Sequence, residues 1–392
     1  MGQSSAANRG YFNVENKEKM NILQIVSSLE EISGPANSLY LVATGLAQLG
    51  HKVICVHYVG RQGPLVQRLE QQGIKVINLN PQLQGSSKIN HLKMLFKLIE
   101  IVWKHKIEVI HAHNWDADCY AFLTAFFKKL RVVVTLHSRS YFQWVNSHKL
   151  KYERLFFGKA TYFVCVSEVM ANEFKQITKV PKTKVKVVYN SPLSIFFNSS
   201  DPESIKKIRR EFNVDDSEFL LGSVGNFTEF KGIIYLLEAL AELKNNRCKL
   251  LLVGADVANL KPEFDKFLKE KTISDQVIFA GFRQDIPDIL DAIDLFVFPS
   301  TEEADPIALS EAMARAKPVI ATKIGGIPEK VIDGKIGILI DPANSAQIKT
   351  AIEYCLNNKD KAIAMGQAAK QVMVDKFSFN AMIKNYEEVY KR

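Results

Sequence analysis

Nowhere in the 392 residues does an apolar run approach the ~18 that a helix needs to cross a bilayer, which excludes a helical membrane span. Cysteine is sparse and dispersed. Cys55, Cys119, Cys165, Cys248 and Cys355 form neither a Cys-x-x-Cys pair nor a metal-ligand cluster with nearby histidines, which argues against a disulfide scaffold and a zinc knuckle. Most lie in or beside apolar runs, the setting of buried free thiols in a reducing cytosol. Residues 1–19 lack the hydrophobic core of a signal peptide and show no periodicity, so a flexible tail is expected, with Met20 opening the fold. A recognised base-reading module is also missing and the basic residues are spread over several faces, which argues against nucleic acid as a partner. The expected location is the cytoplasm, either free or peripheral on the cytoplasmic face of a membrane.

What the chain does have is length and a basic surplus. At about 100–200 residues per domain, its length predicts two cores. A hydrophobic content of 47% with 24% charged residues is that of a folded, soluble protein. The net charge of +9 invites a polyanionic partner: nucleic acid, an anionic membrane surface or a phosphorylated substrate.

From Met20 the sequence alternates short β-branched runs with helical stretches, the pattern of a parallel sheet covered on both faces. Strands are expected at 21–27, 52–58, 75–79, 108–112, 132–136, 162–166 and 184–188, with helices such as 36–48 and 89–105 between them. The runs are apolar throughout and do not alternate, which predicts burial on both sides. Residues 191–202 interrupt the rhythm with Pro, Ser and Asn; it then restarts with strands at 219–224, 249–253, 277–280, 295–298, 318–322 and 337–340. The reading is α/β: a tail at 1–19, a Rossmann-like domain at 20–190, a linker at 191–202, a second Rossmann-like domain at 203–375, and a last helix in 376–392.

The most informative stretch runs from Phe298-Pro299-Ser300 through Glu303 and Glu311-Ala312-Met313 to Pro318-Val319-Ile320-Ala321-Thr322 and Gly325-Gly326. It places Glu303 in the loop after a buried strand and Glu311 eight positions later, inside the following helix. In an open α/β sheet that crevice is where ligands bind, and carboxylates are the acceptors expected opposite sugar or ribose hydroxyls. Upstream, Gly222-Ser223-Val224-Gly225-Asn226 followed by Lys231-Gly232 reads as strand, glycine turn and helix, a backbone able to approach phosphate with Lys231 as a mobile positive charge. Gly34 opens the first helix in the same manner. His111, His113 and His137 fall at predicted strand ends. A basic, aromatic-bearing surface spans the 89–106 helix, Phe126-Phe127-Lys128-Lys129-Leu130-Arg131 and residues 141–159; it fits either anionic headgroups or an ordinary solvated outer face.

The ordered run from Pro299-Ser300 through Glu303, Glu311-Ala312-Met313-Ala314 and Gly325-Gly326 resembles the donor site of the retaining glycosyltransferases of family four, two-domain enzymes of the GT-B fold. The resemblance covers about residues 20–390 and implies a cleft between the two domains, with the last helix, 376–392, returning to the first domain. It implies transfer of a sugar from a nucleotide diphosphate sugar to a hydroxyl acceptor, a lipid-linked one included, in cell-surface polysaccharide or glycolipid synthesis. Glu303, His137 and Lys231 are then the catalytic residues. Lys231 steadies the diphosphate, Glu303 faces the sugar, Glu311 holds the ribose, and Asp305 with the backbone beyond it at Ile307 meets sugar hydroxyls. Phe282 and Arg283 lie against the base, while Gly34, Gly225 and Asn226 line the phosphates. Asn226 stands where the family usually has Arg, with Arg283 or Lys323 as substitute cations; Gly34-Pro35 replaces a glycine pair, and Asp305-Pro306 replaces Phe-Gly. Asp116-Ala117-Asp118 resembles the metal triplet of a different glycosyltransferase fold, but acidic residues are also favoured at a helix start, and no metal or cofactor is implied. An epimerase of the same fold and a noncatalytic partner subunit remain alternatives.

Overall fold

The structure, a computed structural model, describes residues 18–30, 33–60, 63–79, 88–138, 158 and 160–391. Two compact units emerge: unit 1 takes the chain up to Tyr189 and again from Phe379, and unit 2 is Asn190–Ser378. The tail at 1–17 and the basic stretch at 141–157 lie outside the described residues, as does the side chain of Asp116.

Unit 1 holds β1 (Asn21–Ser28), β2 (Lys52–Val59), β3 (Lys75–Asn78), β4 (Val109–Ala112), β5 (Arg131–Leu136), β6 (Tyr162–Cys165) and β7 (Val185–Val187). They form one seven-stranded sheet in the order β3-β2-β1-β4-β5-β6-β7, with every pairing parallel. Unit 2 holds β8 (Phe219–Val224), β9 (Cys248–Val253), β10 (Val277–Gly281), β11 (Leu295–Phe298), β12 (Val319–Thr322) and β13 (Ile338–Ile340), again parallel, in the order β10-β9-β8-β11-β12-β13. The central strands β4 and β11 are buried at every position, as uninterrupted apolar runs require when helices cover both faces.

This order gives each sheet one place where consecutive connections leave in opposite directions. Beside β1 the chain turns first to β2 and later returns on the other side as β4; beside β8 it turns to β9 and returns as β11. The loops leaving the carboxyl ends of β1 and β4, and of β8 and β11, therefore part and leave a crevice.

One segment differs from expectation. Residues 191–202 are packed into unit 2 and do not form a free linker: the Ser200 amide donates to Asp291 (2.8 Å), and buried Arg315 donates to Ser200 Oγ (2.6 Å) and pairs with Asp291. The Pro, Ser and Asn that break the strand rhythm are anchored by a buried guanidinium. The last helix, Phe379–Lys391, belongs to unit 1 and packs on the Gly34–Gln48 helix. Gly45 permits that approach, since a Cβ there would stand 2.3 Å from Ile383. Ser33 caps the Gly34–Gln48 helix by accepting from the Ala36 amide (3.4 Å), and Pro35 fits its first turn, where no N–H partner is needed.

Candidate active site

In unit 2 the loop after β8 passes through a 3-10 turn, Glu229–Lys231, into the Ile233–Leu243 helix. Gly232 has φ 65°, and a Cβ there would meet the Pro299 carbonyl oxygen at 2.2 Å, so only glycine lets this turn lie against the loop after β11. The Thr301 amide closes the contact by donating to the Phe230 carbonyl (2.7 Å). Lys231 Nζ consequently stands 2.5 Å from Glu303 Oε1, with side chains 22% and 13% accessible, and 5.1 Å from the Phe298 ring centre. A cation from one lip of the crevice and a carboxylate from the other thus meet part-buried.

Gly325 supports Glu303 from behind. Its φ is 51°, and a Cβ would stand 1.9 Å from the Glu303 carbonyl oxygen. The Gly326 amide donates to the Ala304 carbonyl (2.7 Å). Glu311 follows on the Ile307–Ala314 helix, whose N-cap Pro306 makes no side-chain capping bond, so the first-turn amides from Ile307 face outward without an acceptor from the cap. Among the described residues the Glu311 carboxyl has no hydrogen-bond partner and touches neither Lys231 nor Glu303; burial pushes its pKa up to about 8. A carboxyl that is enclosed yet unpartnered is poised to accept hydrogen bonds, which would restore its charge.

Asp305 turns away from the crevice. Its side chain has no accessible surface; Oδ1 lies 2.5 Å from Lys330 Nζ, and Oδ2 accepts from the Asn190 amide (2.7 Å). This corrects the placement of the Asp305 side chain on the sugar, because Lys330, 25 positions on, claims the carboxylate. Asn226 uses its side-chain oxygen to accept from the Ala255 amide (3.3 Å), which latches the β8 loop to the β9 loop. The Gly254 amide donates to the Gly281 carbonyl (2.9 Å), extending that latch to the β10 loop, where Phe282 is 47% exposed. Arg283 is held by Asp285 (2.6 Å) and by Glu211, whose carboxylates raise its pKa further, so this guanidinium already has its anions. Lys323 is less committed, 3.7 Å from Asp341 and about half exposed. Gly225 lies beneath Lys231, its would-be Cβ 3.6 Å from Lys231 Cε.

The unit 1 crevice carries rings. His113 follows β4 and His137 follows β5; His113 Nδ1 and His137 Nε2 are 3.2 Å apart, and the rings stack at 11°. His113 Nε2 lies 2.9 Å from Gln24 Oε1 on β1, the neighbouring strand. His111 is fully buried between Thr135 Oγ1 (2.6 Å) and the Tyr390 hydroxyl (2.6 Å), which the C-terminal helix delivers. Burial lowers all three imidazole pKa values, that of His137 to about 3, so the rings are neutral at physiological pH. His137 keeps partial exposure, whereas His111 and His113 have none. His111 is therefore a core residue, and His113 touches His137 in place of solvent. Gly34 begins its helix with open space where a Cβ would stand.

On the outer face of unit 1, Leu92, Phe96 and Trp103 of the Lys88–Lys104 helix are 56%, 66% and 59% exposed, and Phe126 and Phe127 beyond the adjoining Trp115–Thr124 helix are 56% and 57% exposed. The opposite side of the long helix is buried through Met94, Leu98 and Val102. Lys128 Nζ lies 5.5 Å from the Trp103 ring centre, joining the two groups, and Lys93, Lys104, Lys106 and Lys129 are exposed around them. No helix among the described residues is long and apolar enough to cross a membrane.

The family profile described as glycosyl transferases group 1 matches residues 204–372, and that of glycosyltransferase family 4 matches residues 32–191. N-acetyl-alpha-D-glucosaminyl L-malate synthase of Bacillus anthracis is 26% identical over 308 residues, 76% of this chain and 78% of its own length. The capsular polysaccharide biosynthesis glycosyltransferase CapM of Staphylococcus aureus is 22% identical, covering 91% of this chain and 94% of its own. The crystal structure of Anabaena Alr3699/HepE in complex with UDP-glucose shares the fold with a TM-score of 0.84 at 23% identity, over 95% of this chain and 99% of that one. Sucrose-phosphate synthase from Thermosynechococcus elongatus does so with a TM-score of 0.78 at 20% identity, over 95% and 98%.

Proposed function

The chain belongs to the group 1 glycosyl transferases, glycosyltransferase family 4, and on that premise we propose that it moves a sugar, with retention at the anomeric carbon, from a nucleoside diphosphate sugar to a hydroxyl acceptor in cell-surface polysaccharide or glycolipid synthesis. The observation that carries this reading is the contact of Lys231 with Glu303 across the β8–β11 crevice. A diphosphate arriving there offers Lys231 two negative charges in place of one carboxylate, and releases Glu303 toward the sugar ring. Charge develops on the departing diphosphate in the transition state, where a preorganised ammonium is worth most. The first-turn amides at Ile307 suit phosphate or hydroxyl oxygens. Glu311, unpartnered as it stands, receives the two ribose hydroxyls. Neutral His137, whose Nε2–H is spent on His113 Nδ1, keeps a bare Nδ1 that accepts from a substrate hydroxyl. The positive charge comes from this chain's own residues, with no metal or cofactor assigned a role.

Two relatives support the substrate class: CapM is a capsular polysaccharide biosynthesis glycosyltransferase, and the Anabaena neighbour holds UDP-glucose, so a UDP sugar is the first donor to try. Incubation of the chain with UDP-, GDP-, ADP- and dTDP-sugars should release free sugar slowly from one of them, and Glu303→Gln should abolish release while the nucleotide still binds. An epimerised donor without transfer would instead identify an epimerase, and the absence of turnover with every donor would identify a noncatalytic subunit. Proton NMR of the first product reads the anomeric configuration directly; an inverted centre rejects retention.

We further assign the exposed Leu92, Phe96, Trp103, Phe126 and Phe127, rimmed by lysines, to an anionic bilayer surface that presents a lipid-linked acceptor. Vesicles containing about a third phosphatidylglycerol should float the protein, and Phe96→Ser with Trp103→Ser should release it. Equal flotation with neutral vesicles counts against this assignment.

A further inference from the structure

The segment bearing Glu303 and Glu311 changes from loop to helix at Asp305-Pro306, and the side of that bend turned away from the crevice is closed by one buried cation. Lys330 is 1% accessible; its ammonium forms an ion pair with Asp305 Oδ1 (2.5 Å) and donates hydrogen bonds to two acceptors, the Asn190 carbonyl (2.9 Å) and Ser310 Oγ (2.9 Å). Each acceptor belongs to a different part of the donor side. Asp305 is two residues after Glu303, Ser310 immediately precedes Glu311, and Asn190 is where the chain enters unit 2. Asn190 completes the closure by donating its amide to Asp305 Oδ2 (2.7 Å) and its side-chain nitrogen to the Asp305 carbonyl (2.9 Å). Lys330 itself ends the short Ile327–Lys330 helix, which starts straight after the Gly325-Gly326 pair that backs Glu303.

Burying a lysine and an aspartate is costly unless every donor and acceptor finds a partner, and an apolar pair of the same volume would often stabilise the fold as well or better. Stability alone therefore gives little reason for an ion pair here, whereas directional bonds that fix the pitch between a loop and a helix do. We propose that Lys330, with Asp305 and Asn190, is a positioning device that sets the separation of the two donor-site carboxylates, Glu303 and Glu311. This rests on the assignment of those two residues to the donor.

Single replacement of either charge leaves the other buried and unpaired, so Lys330→Met and Asp305→Asn should each lower Tm markedly. The informative protein is the double variant Asp305→Asn/Lys330→Met, which carries no orphan charge. Its Tm should return close to wild type, while its Kd for the nucleoside diphosphate and its kcat for donor hydrolysis should both worsen, kcat/KM falling about a hundredfold if the carboxylates shift by an ångström. Ser310→Ala removes one directional bond next to Glu311 without adding a charge, and should weaken nucleotide binding several-fold at unchanged Tm; it serves as the test if the double variant does not fold. Calorimetry with UDP, GDP, ADP and dTDP reads both variants. If the folded double variant, or Ser310→Ala should the double fail to fold, binds and turns over as wild type does, the positioning role is overturned and the ion pair is only structural. If the wild-type chain binds none of the four nucleotides, the donor-site assignment fails first and takes this inference with it.

Discussion

Beside β8 a lysine and a glutamate face each other at 2.5 Å, each with a minor part of its side chain open to water; beside β1 His111, His113 and His137 close up with Gln24, Thr135 and Tyr390 into a network held neutral by burial. The sheets that create the two crevices share one topology, so the difference lies wholly in which side chains the loops carry. Charges that can exchange partners suit a leaving group that gains negative charge. Uncharged rings with fixed tautomers suit hydroxyls, which must be oriented without being ionised. One architecture thus carries an ionic crevice in unit 2 and a neutral one in unit 1.

The sharpest way to break that division is to remove the cation. Lys231→Met should lower kcat for transfer by about 10³-fold, the scale of losing one preorganised electrostatic contact. His137→Ala should cost less, about 10²-fold, with nucleotide Kd unchanged, and the wild-type pH–rate profile should show no inflection near 6.5 from this ring. Equal losses from the two variants would erase the distinction.

Glu311 offers a test by pH. Its carboxyl titrates near 8 when unliganded, and ribose hydroxyls favour the charged form, so binding expels a proton below that value. Nucleotide affinity should therefore rise as pH increases toward 8, by up to about tenfold per unit, and level off above it. Glu311→Gln should flatten the curve; an unchanged slope would show that another group controls it.

Stability should respond to pH through the rings in the same direction, falling in acid. His111 and His113 are held below the ordinary histidine pKa in the folded state, so the unfolded chain binds more protons below about 6.5. Their stabilising contribution is complete above that pH and is lost as pH falls through the folded values, which thermal melts at pH 7.5 and 5.5 would register as a lower Tm in acid. The smallest effect expected is from Tyr390→Phe, which removes one buried hydrogen bond to His111 and should cost about 1–2 kcal/mol in urea unfolding.

Much of this was legible in the order of residues. Every expected strand is present within about a residue at each end, for instance 219–224 and 295–298, because doubly covered parallel strands must be apolar throughout and so stand out from their surroundings. That Glu303 lies in the loop after β11 and Glu311 on the following helix was visible because a strand end and a helix start are local features. The partners brought from far along the chain were not visible: Lys330 for Asp305, Glu211 for Arg283 and Tyr390 for His111 are joined only by the tertiary fold, and no spacing rule announces them. Gly232 could be noticed as a turn glycine, but its contact with the Pro299 carbonyl could not.

Tyr386 and Tyr390 complete the centre of unit 1 from a helix that begins at residue 379, after the whole of unit 2. During synthesis, then, the domain that starts first must finish last: unit 2 is continuous and can collapse as soon as it leaves the ribosome, while the histidines at 111 and 113 wait with one wall missing. A chain truncated after residue 378 should accordingly yield a protease-resistant core from the second half only, and resistance of the first half at that length would show that the closing helix is dispensable.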